Sequence, residues 1–214
     1  MLFRSQPLIT APRPVFLETD SDNNVWVSVP TKNAVLKYDQ KTGEFTEFKL
    51  PTTDSGPFGL LYDPSGKMWF TQTLEGQIGY IDQKTNEIRE IPPPEPFSIL
   101  ETLTFDKDGN IWISEHDENG GIVKFDPILE TYEKIPASDT TALPNDPTFD
   151  RYQNIWIAQH VLDKFEVYDP DRNSMIDVPI PTQTSFVQFM TVDDNDNIWF
   201  AEQRGGKKIG RAHV

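Results

Sequence analysis

An aspartate followed six residues later by a tryptophan occurs five times in this chain of 214 residues, and that spacing leaves few folds open. The pairs are Asp20 and Trp26, Asp63 and Trp69, Asp106 and Trp112, Asp150 and Trp156, and Asp193 and Trp199. The tryptophans stand 43, 43, 44 and 43 residues apart, and the chain has no sixth. A fixed period of this length marks a repeat architecture, in which each unit buries its apolar face only against its neighbours.

Each period reads as four short strands. The first is a small apolar run ending in the Asp, at 15–17, 59–62, 102–105, 148–149 and 190–192. A turn of mostly Asp, Asn, Gly and Ser follows, and such residues accept the backbone angles that a hairpin needs. The second strand carries the Trp. The third alternates and ends in Asp39, Asp82, Asp126 or Asp169. The fourth is an amphipathic edge strand closed by Pro51, Pro92, Pro136 or Pro179, where proline is tolerated because an outer edge lacks ladder partners on one side. No stretch has helical periodicity. The expected fold is all-β, a β-propeller of four-stranded antiparallel blades. Its single domain covers 14–211, with blades at about 14–51, 57–92, 100–136, 144–179 and 187–211. Residues 6–13 read either as the outer strand of a preceding blade or as the fourth strand of the fifth blade. The five Asp and five Trp are read as turn caps and inter-blade packing.

Residues 1–5 and 209–214 can be encoded by DNA strings that are largely reverse complements of each other, as a sequencing adapter read at both ends would be. Both are expected to be scars, although Ile209, Gly210 and Arg211 also fit the repeat. A net charge of −15 argues against nucleic acid or an anionic membrane as partner. With no Cys, disulfides and thiolate chemistry are excluded. No apolar run approaches the roughly 20 residues that span a bilayer, so membrane insertion is not expected.

Topology alone locates a candidate site. The first strand of a blade begins, and the second ends, at the same end of the sheet. Positions three and four after each Trp and eleven before it therefore converge on the mouth of the central channel. In the first two units these positions are mostly apolar, with Val29, Pro30, Val15 and Phe58 beside Gln72 and Thr73. The last three units place Glu115 and His116, Gln159 and His160, and Glu202 and Gln203 after the Trp. Before it they place Glu101, Asn145 and Gln188, with Asp146 beside Asn145. A repeat that served structure alone would carry no such gradient. Glu101, His116 and His160 are the candidate acid–base groups. Gln72, Asn145, Gln159, Gln188 and Gln203 are candidate ligand contacts, and Glu115 and Glu202 are candidate ligands for a divalent cation such as Mg or Ca. No phosphate-binding glycine loop or G-x-S-x-G elbow is present.

The run from Asn197 to Glu202, followed by Lys208 to Arg211, resembles the repeat of the streptogramin B lyases, the virginiamycin B lyase family. So do the segments 68–82 and 45–59. The resemblance covers essentially residues 14–211 and implies a seven-bladed propeller of which five blades are present. It also implies metal-assisted elimination that opens a cyclic depsipeptide, with a His at the start of an inner strand as base and Glu residues holding magnesium. The inner-strand positions here are Val15, Phe58, Glu101, Asn145 and Gln188, of which only Glu101 carries a group able to act as a base. Three functions stay open: a module binding a small molecule or divalent ion, a metal-dependent lyase or lactonase-like hydrolase, and an interaction scaffold. A monomer, extracellular or on the cell surface, is the expectation.

Overall fold

The structure, a computed structural model, describes residues 13–204 and the backbone of 210–212. The expectations for residues 1–5 and 6–12, and for Ile209, His213 and Val214, lie outside the described residues. The chain forms two compact units that divide between Pro92 and Pro93.

The first unit holds two sheets. Strands β1 (Phe16–Thr19), β2 (Val25–Val29), β3 (Ala34–Tyr38) and β4 (Phe45–Lys49) make the first, with a 3₁₀ turn at Pro30–Lys32. Strands β5 (Pro57–Tyr62), β6 (Lys67–Gln72), β7 (Gln77–Asp82) and β8 (Ile88–Ile91) make the second. Each is an antiparallel meander in chain order. Trp26, Phe48 and Leu50 of the first sheet pack against Leu60, Met68, Phe70 and Ile81 of the second.

The second unit holds three sheets. The third sheet is β9 (Leu100–Phe105), β10 (Ile111–Glu115), β11 (Gly121–Asp126) and β12 (Thr131–Pro136). The fourth is β13 (Pro144–Phe149), β14 (Ile155–Gln159), β15 (Lys164–Asp169) and β16 (Ser174–Pro179). The fifth has three described strands, β17 (Val187–Val192), β18 (Ile198–Glu202) and β19 (Gly210–Ala212). Gly210–Ala212 pairs with Ile198, Trp199 and Phe200, the place of a third strand in the repeat. Trp112 packs beneath Phe149 and Tyr168 of the fourth sheet, and Trp156 lies beneath Val187 and Phe200 of the fifth.

One carboxylate organises every blade. The Asp Oδ2 accepts the indole Nε1–H of its own Trp at 2.9–3.2 Å in all five sheets. Its Oδ1 accepts the backbone N–H four residues on, which closes the turn. Between the two, Asn23, Gly66, Gly109, Gln153 and Asp196 all take a left-handed φ, from 62° to 99°. Gly and Asn meet that demand with little strain. The Asp therefore acts as a cap and as the polar partner of a buried Trp at once.

The inner strands differ from the sequence expectation. In sheets two to five they begin two to four residues earlier, at Pro57, Leu100, Pro144 and Val187. Each contains a β-bulge, which sequence reading took for the strand end. Pro57 and Pro144 are compatible with this because the first residue of an edge strand needs no ladder N–H.

Candidate functional site

The bulges determine what faces the end of each sheet. In β5, β9 and β17 the two residues that oppose a single partner are Phe58–Gly59, Glu101–Thr102 and Gln188–Phe189. In β13 the pairing of Asn145 with Ala158 is kept, and the bulge falls on Asp146–Pro147. Pro147 has no N–H to give the ladder, so the irregularity settles there. The segment ahead of the inner strand then folds over the end of the Trp strand. The N–H four residues after the Trp bonds the carbonyl thirteen residues before it: Thr73 to Gly56, His116 to Ile99, His160 to Leu143 and Gln203 to Phe186. Serines seat the same segment, Ser55 on Asn33 Oδ1, Ser98 on Glu115 Oε1 and Ser185 on Asp163 Oδ1, with Ala142 at that position in the fourth sheet.

This closure buries part of the expected site. The residue three after the Trp is buried in all five sheets, from 0% exposed at Gln72 to 7% at Glu202, and in sheets two to five it lies under the folded segment. Gln72 is held between Glu90 and Gln77, each at 2.7 Å. Glu115 accepts from Ser98 on Oε1, while Lys134 Nζ lies 2.5 Å from Oε2. Gln159 gives Nε2–H to Glu166 at 2.8 Å. Gln72 and Glu115 thus serve packing of their own sheets. The residue four after the Trp lies outside the closure and stays accessible.

In the second unit the remaining candidates come together. Asn145 Nδ2 donates to Glu101 Oε2 at 2.8 Å. His116 Nδ1 lies 3.2 Å from the carbonyl of Pro144, and His160 Nδ1 lies 3.4 Å from His116 Nε2. A carbonyl only accepts, so a proton on His116 Nδ1 would face Pro144, and Asn145 Nδ2 lies 3.4 Å from the same nitrogen. His160 Nε2 is buried and has no hydrogen-bond partner among the described residues. Its ring packs edge-on against Phe186 at 4.0 Å, and the Arg204 guanidinium covers the same Phe. Gln203 Nε2 donates to Gln188 Oε1 at the margin.

Electrostatics keep this cluster low in charge. Burial, then His116 and Arg204, push the His160 imidazole down to about 4, so it is neutral across the physiological range. Burial raises Glu101, partly offset by His116 and by the Asn145 hydrogen bond. Burial pushes the Asp146 carboxyl up to about 7 against a single opposing hydrogen bond from the Met190 N–H. Asp146 was placed beside Asn145 without a role, and Phe186 was missed because its left-handed φ of 57° leaves no mark in the repeat spacing.

Buried polar atoms nearly always find partners. Among the described residues the exceptions are Gln83 Nε2, Glu115 Oε2 (which faces Lys134), Asn145 Oδ1, Gln159 Oε1, His160 Nε2 and Glu202 Oε2. The last four belong to the second unit and occupy positions expected at the site; three are acceptor oxygens and the fourth is a nitrogen of the neutral His160 ring. The amide orientations follow from the Glu101 and Glu166 partners. Among the described residues no three His, Asp or Glu side chains are grouped as ligands of an ion would be. At the opposite, turn-bearing end, the fourth and fifth sheets leave a cleft of about 630 Å³ lined by Trp156, Val167, Ile176 and Ile198, where the Asp150 carboxylate is fully bonded.

Repeated four-stranded meanders, each Trp tied to its own Asp, define a β-propeller of the blade-repeat class. The chain belongs to the virginiamycin B lyase family, whose model matches residues 4–214. A streptogramin B lyase structure is 27% identical, with a TM-score of 0.85 over 94% of this chain and 66% of that one. A catalytically inactive histidine-to-alanine variant of the virginiamycin B lyase from Staphylococcus aureus, with quinupristin, is 24% identical, with a TM-score of 0.87 over 97% of this chain and 69% of that one. The chain therefore spans about two thirds of these lyases. A more distant neighbour, an extracellular domain from B. thetaiotaomicron, is 14% identical with a TM-score of 0.74 over 99% of this chain and 29% of that one. No curated protein matches the sequence. No helix among the described residues is long and apolar enough to cross a membrane.

Proposed function

We propose that the intact protein binds a small polar ligand, rich in hydrogen-bond donors, at the end of the second unit where His116, His160, Glu101 and Asn145 meet. One observation carries this reading: two buried polar atoms there, Asn145 Oδ1 and His160 Nε2, lack partners among the described residues. A buried acceptor without a donor costs about 1–3 kcal/mol, and a ligand that supplies N–H or O–H groups removes that cost. His160, half-buried and neutral, is the anchor; Gln188 and Gln203 form the margin. Family membership supports a ligand of the streptogramin B type, since quinupristin accompanies one of the similar structures. The extracellular neighbour is in keeping with a location outside the cell or on its surface.

Family membership also favours a second reading, carbon–oxygen lyase chemistry with Glu101 or a His as base and Mg or Ca held in part by Glu202. Such an ion needs groups beyond the described residues, because Glu115 faces Lys134 and no three candidate ligands converge. Calorimetric titration of the intact protein with quinupristin, with Mg²⁺ and then with chelator, followed by mass analysis of the product, separates the two. Binding that survives chelation, is lost in His160→Ala and leaves quinupristin intact supports the binding module. Ring opening that stops with chelator transfers the assignment to the lyase, and absence of any binding removes both.

A further inference from the structure

We infer that Asp146 takes part in this site as a neutral carboxylic acid, offering an O–H from Oδ1 to the bound ligand while Oδ2 accepts the N–H of Met190. The inference rests on the ligand-binding reading above. Asp146 sits at the β13 bulge with a left-handed φ of 47°, which turns its side chain away from the ladder. Its own N–H donates to Thr102 Oγ1 at 3.0 Å, and its Oδ2 receives Met190 N–H at 2.6 Å. The bulges of the third, fourth and fifth sheets are stitched together through these two bonds.

The stitch itself does not need a carboxyl. Thr102 performs the same service one sheet earlier with a hydroxyl, whose remaining contact is Ser114 Oγ at 3.0 Å. An Asp at the equivalent place adds one thing, a second oxygen, and Asp146 Oδ1 has no partner among the described residues. The side chain is partly exposed, so that oxygen is open to a ligand.

Its surroundings favour the acid over the anion. Of the strands packed on β13, β9 carries Glu101, β10 carries Glu115, and β11 carries Lys124 and Asp126, while β14 and β17 carry no titratable group. Glu101 is bonded to Asn145 and Glu115 lies against Lys134. Lys124 lies over the Trp112 ring, and Asp126 caps its own turn at Ile128 and Leu129. Among the described residues no Lys or Arg is offered to Asp146, and His116 is placed at the Pro144 carbonyl. The turn aspartates show the contrast: Asp106 receives four donors and is held below the ordinary carboxylate range, whereas Asp146 receives one and is pushed up to about 7. A carboxyl kept neutral in this way is a hydrogen-bond donor at neutral pH. The site otherwise presents acceptors, since Asn145 Nδ2 and Gln159 Nε2 are engaged by Glu101 and Glu166. Asp146 would supply the donor for a carbonyl oxygen of the ligand.

The test combines two readouts on the intact protein. Carbon-13 NMR of Asp-labelled protein follows the Asp146 carboxyl from pH 3 to 9, identified by its loss in Asp146→Asn. Titration with quinupristin at pH 5.5, 7 and 8.5 follows affinity in the wild type and in Asp146→Asn, which keeps both a neutral donor and an acceptor. Expected are a carboxyl that titrates near neutrality, a wild-type affinity about tenfold weaker at pH 8.5 than at 5.5, and a variant whose affinity changes less than about twofold. A carboxyl titrating below pH 5, or identical pH profiles for the two proteins, overturns the inference. If quinupristin fails to bind the wild type, the ligand reading falls, while the carbon-13 titration still decides whether Asp146 is held as an acid.

Discussion

Asp150→Ala removes the acceptor of four hydrogen bonds at one stroke. Its carboxylate receives the N–H groups of Tyr152 and Asn154 at 2.9 Å, the Asn154 amide at 2.8 Å and the Trp156 indole at 3.2 Å. Trp156 is 2% exposed beneath the fifth sheet, against 38% for Trp199, so its Nε1 is much harder to rehydrate once the carboxylate is gone. An orphaned buried donor costs about 1–3 kcal/mol, and the two turn N–H groups, which rehydrate, add about 0.5 kcal/mol each. The expected loss is about 2–4 kcal/mol, a large part of the roughly 5–15 kcal/mol that holds an ordinary domain together. Asp193→Ala is the internal control. It loses the same set of donors, but Trp199 is 38% exposed and water replaces the missing acceptor. Urea unfolding of this chain, followed by Trp fluorescence and compared at constant m-value, is expected to show a clearly larger fall in midpoint for Asp150→Ala. Equal falls would refute the reasoning, because the Asp would then matter only as a turn cap.

Gly79→Ala places a Cβ 2.6 Å from both the Arg89 carbonyl oxygen and the Phe70 ring, so thermal unfolding should show a loss of about 2 kcal/mol or more. Glu115→Gln breaks the Lys134 pair in the third sheet and should cost about 2 kcal/mol in urea, yet leave quinupristin affinity unchanged by calorimetry. His160 and Asp146 give stability opposite pH dependences. His160 is lowered from 6.5 to about 4, so its contribution is full above 6.5 and is lost as the pH falls towards 4. Asp146 is raised from 3.8 to about 7, so its contribution is full below 3.8 and is lost as the pH rises through 7. The melting temperature of Asp146→Asn relative to wild type, scanned from pH 4 to 8, should therefore climb with pH; a flat difference contradicts it.

Much of the fold was legible because the Asp-to-Trp spacing is enforced by one bond, from the indole to the carboxylate, which the chain repeats in every blade. Turn chemistry was legible for the same reason, apart from Gln153, which takes a left-handed φ of 68° with no side-chain preference for it. The bulges were not legible. Proline at 57 and 144 reads locally as a strand breaker, and only the neighbouring strand shows that the ladder continues past it. His116, His160, Asn145 and Glu101 emerged from the repeat register, since all depart from the apolar residues of the first unit. Gln72 and Glu115 share that register but end under the segment that precedes the inner strand, and burial by a loop has no sequence period. Asp146 lay one residue from a recognised position, and its role depends on the bulge.

The most direct test of the ligand site is a crystal structure of the intact protein grown with quinupristin. Ordered density is expected at the end of the second unit, with the ligand within hydrogen-bond distance of His160 Nε2 and of Asn145 Oδ1. Density confined to the cleft at the turn-bearing end, or ordered water alone on those atoms at saturating compound, would contradict it.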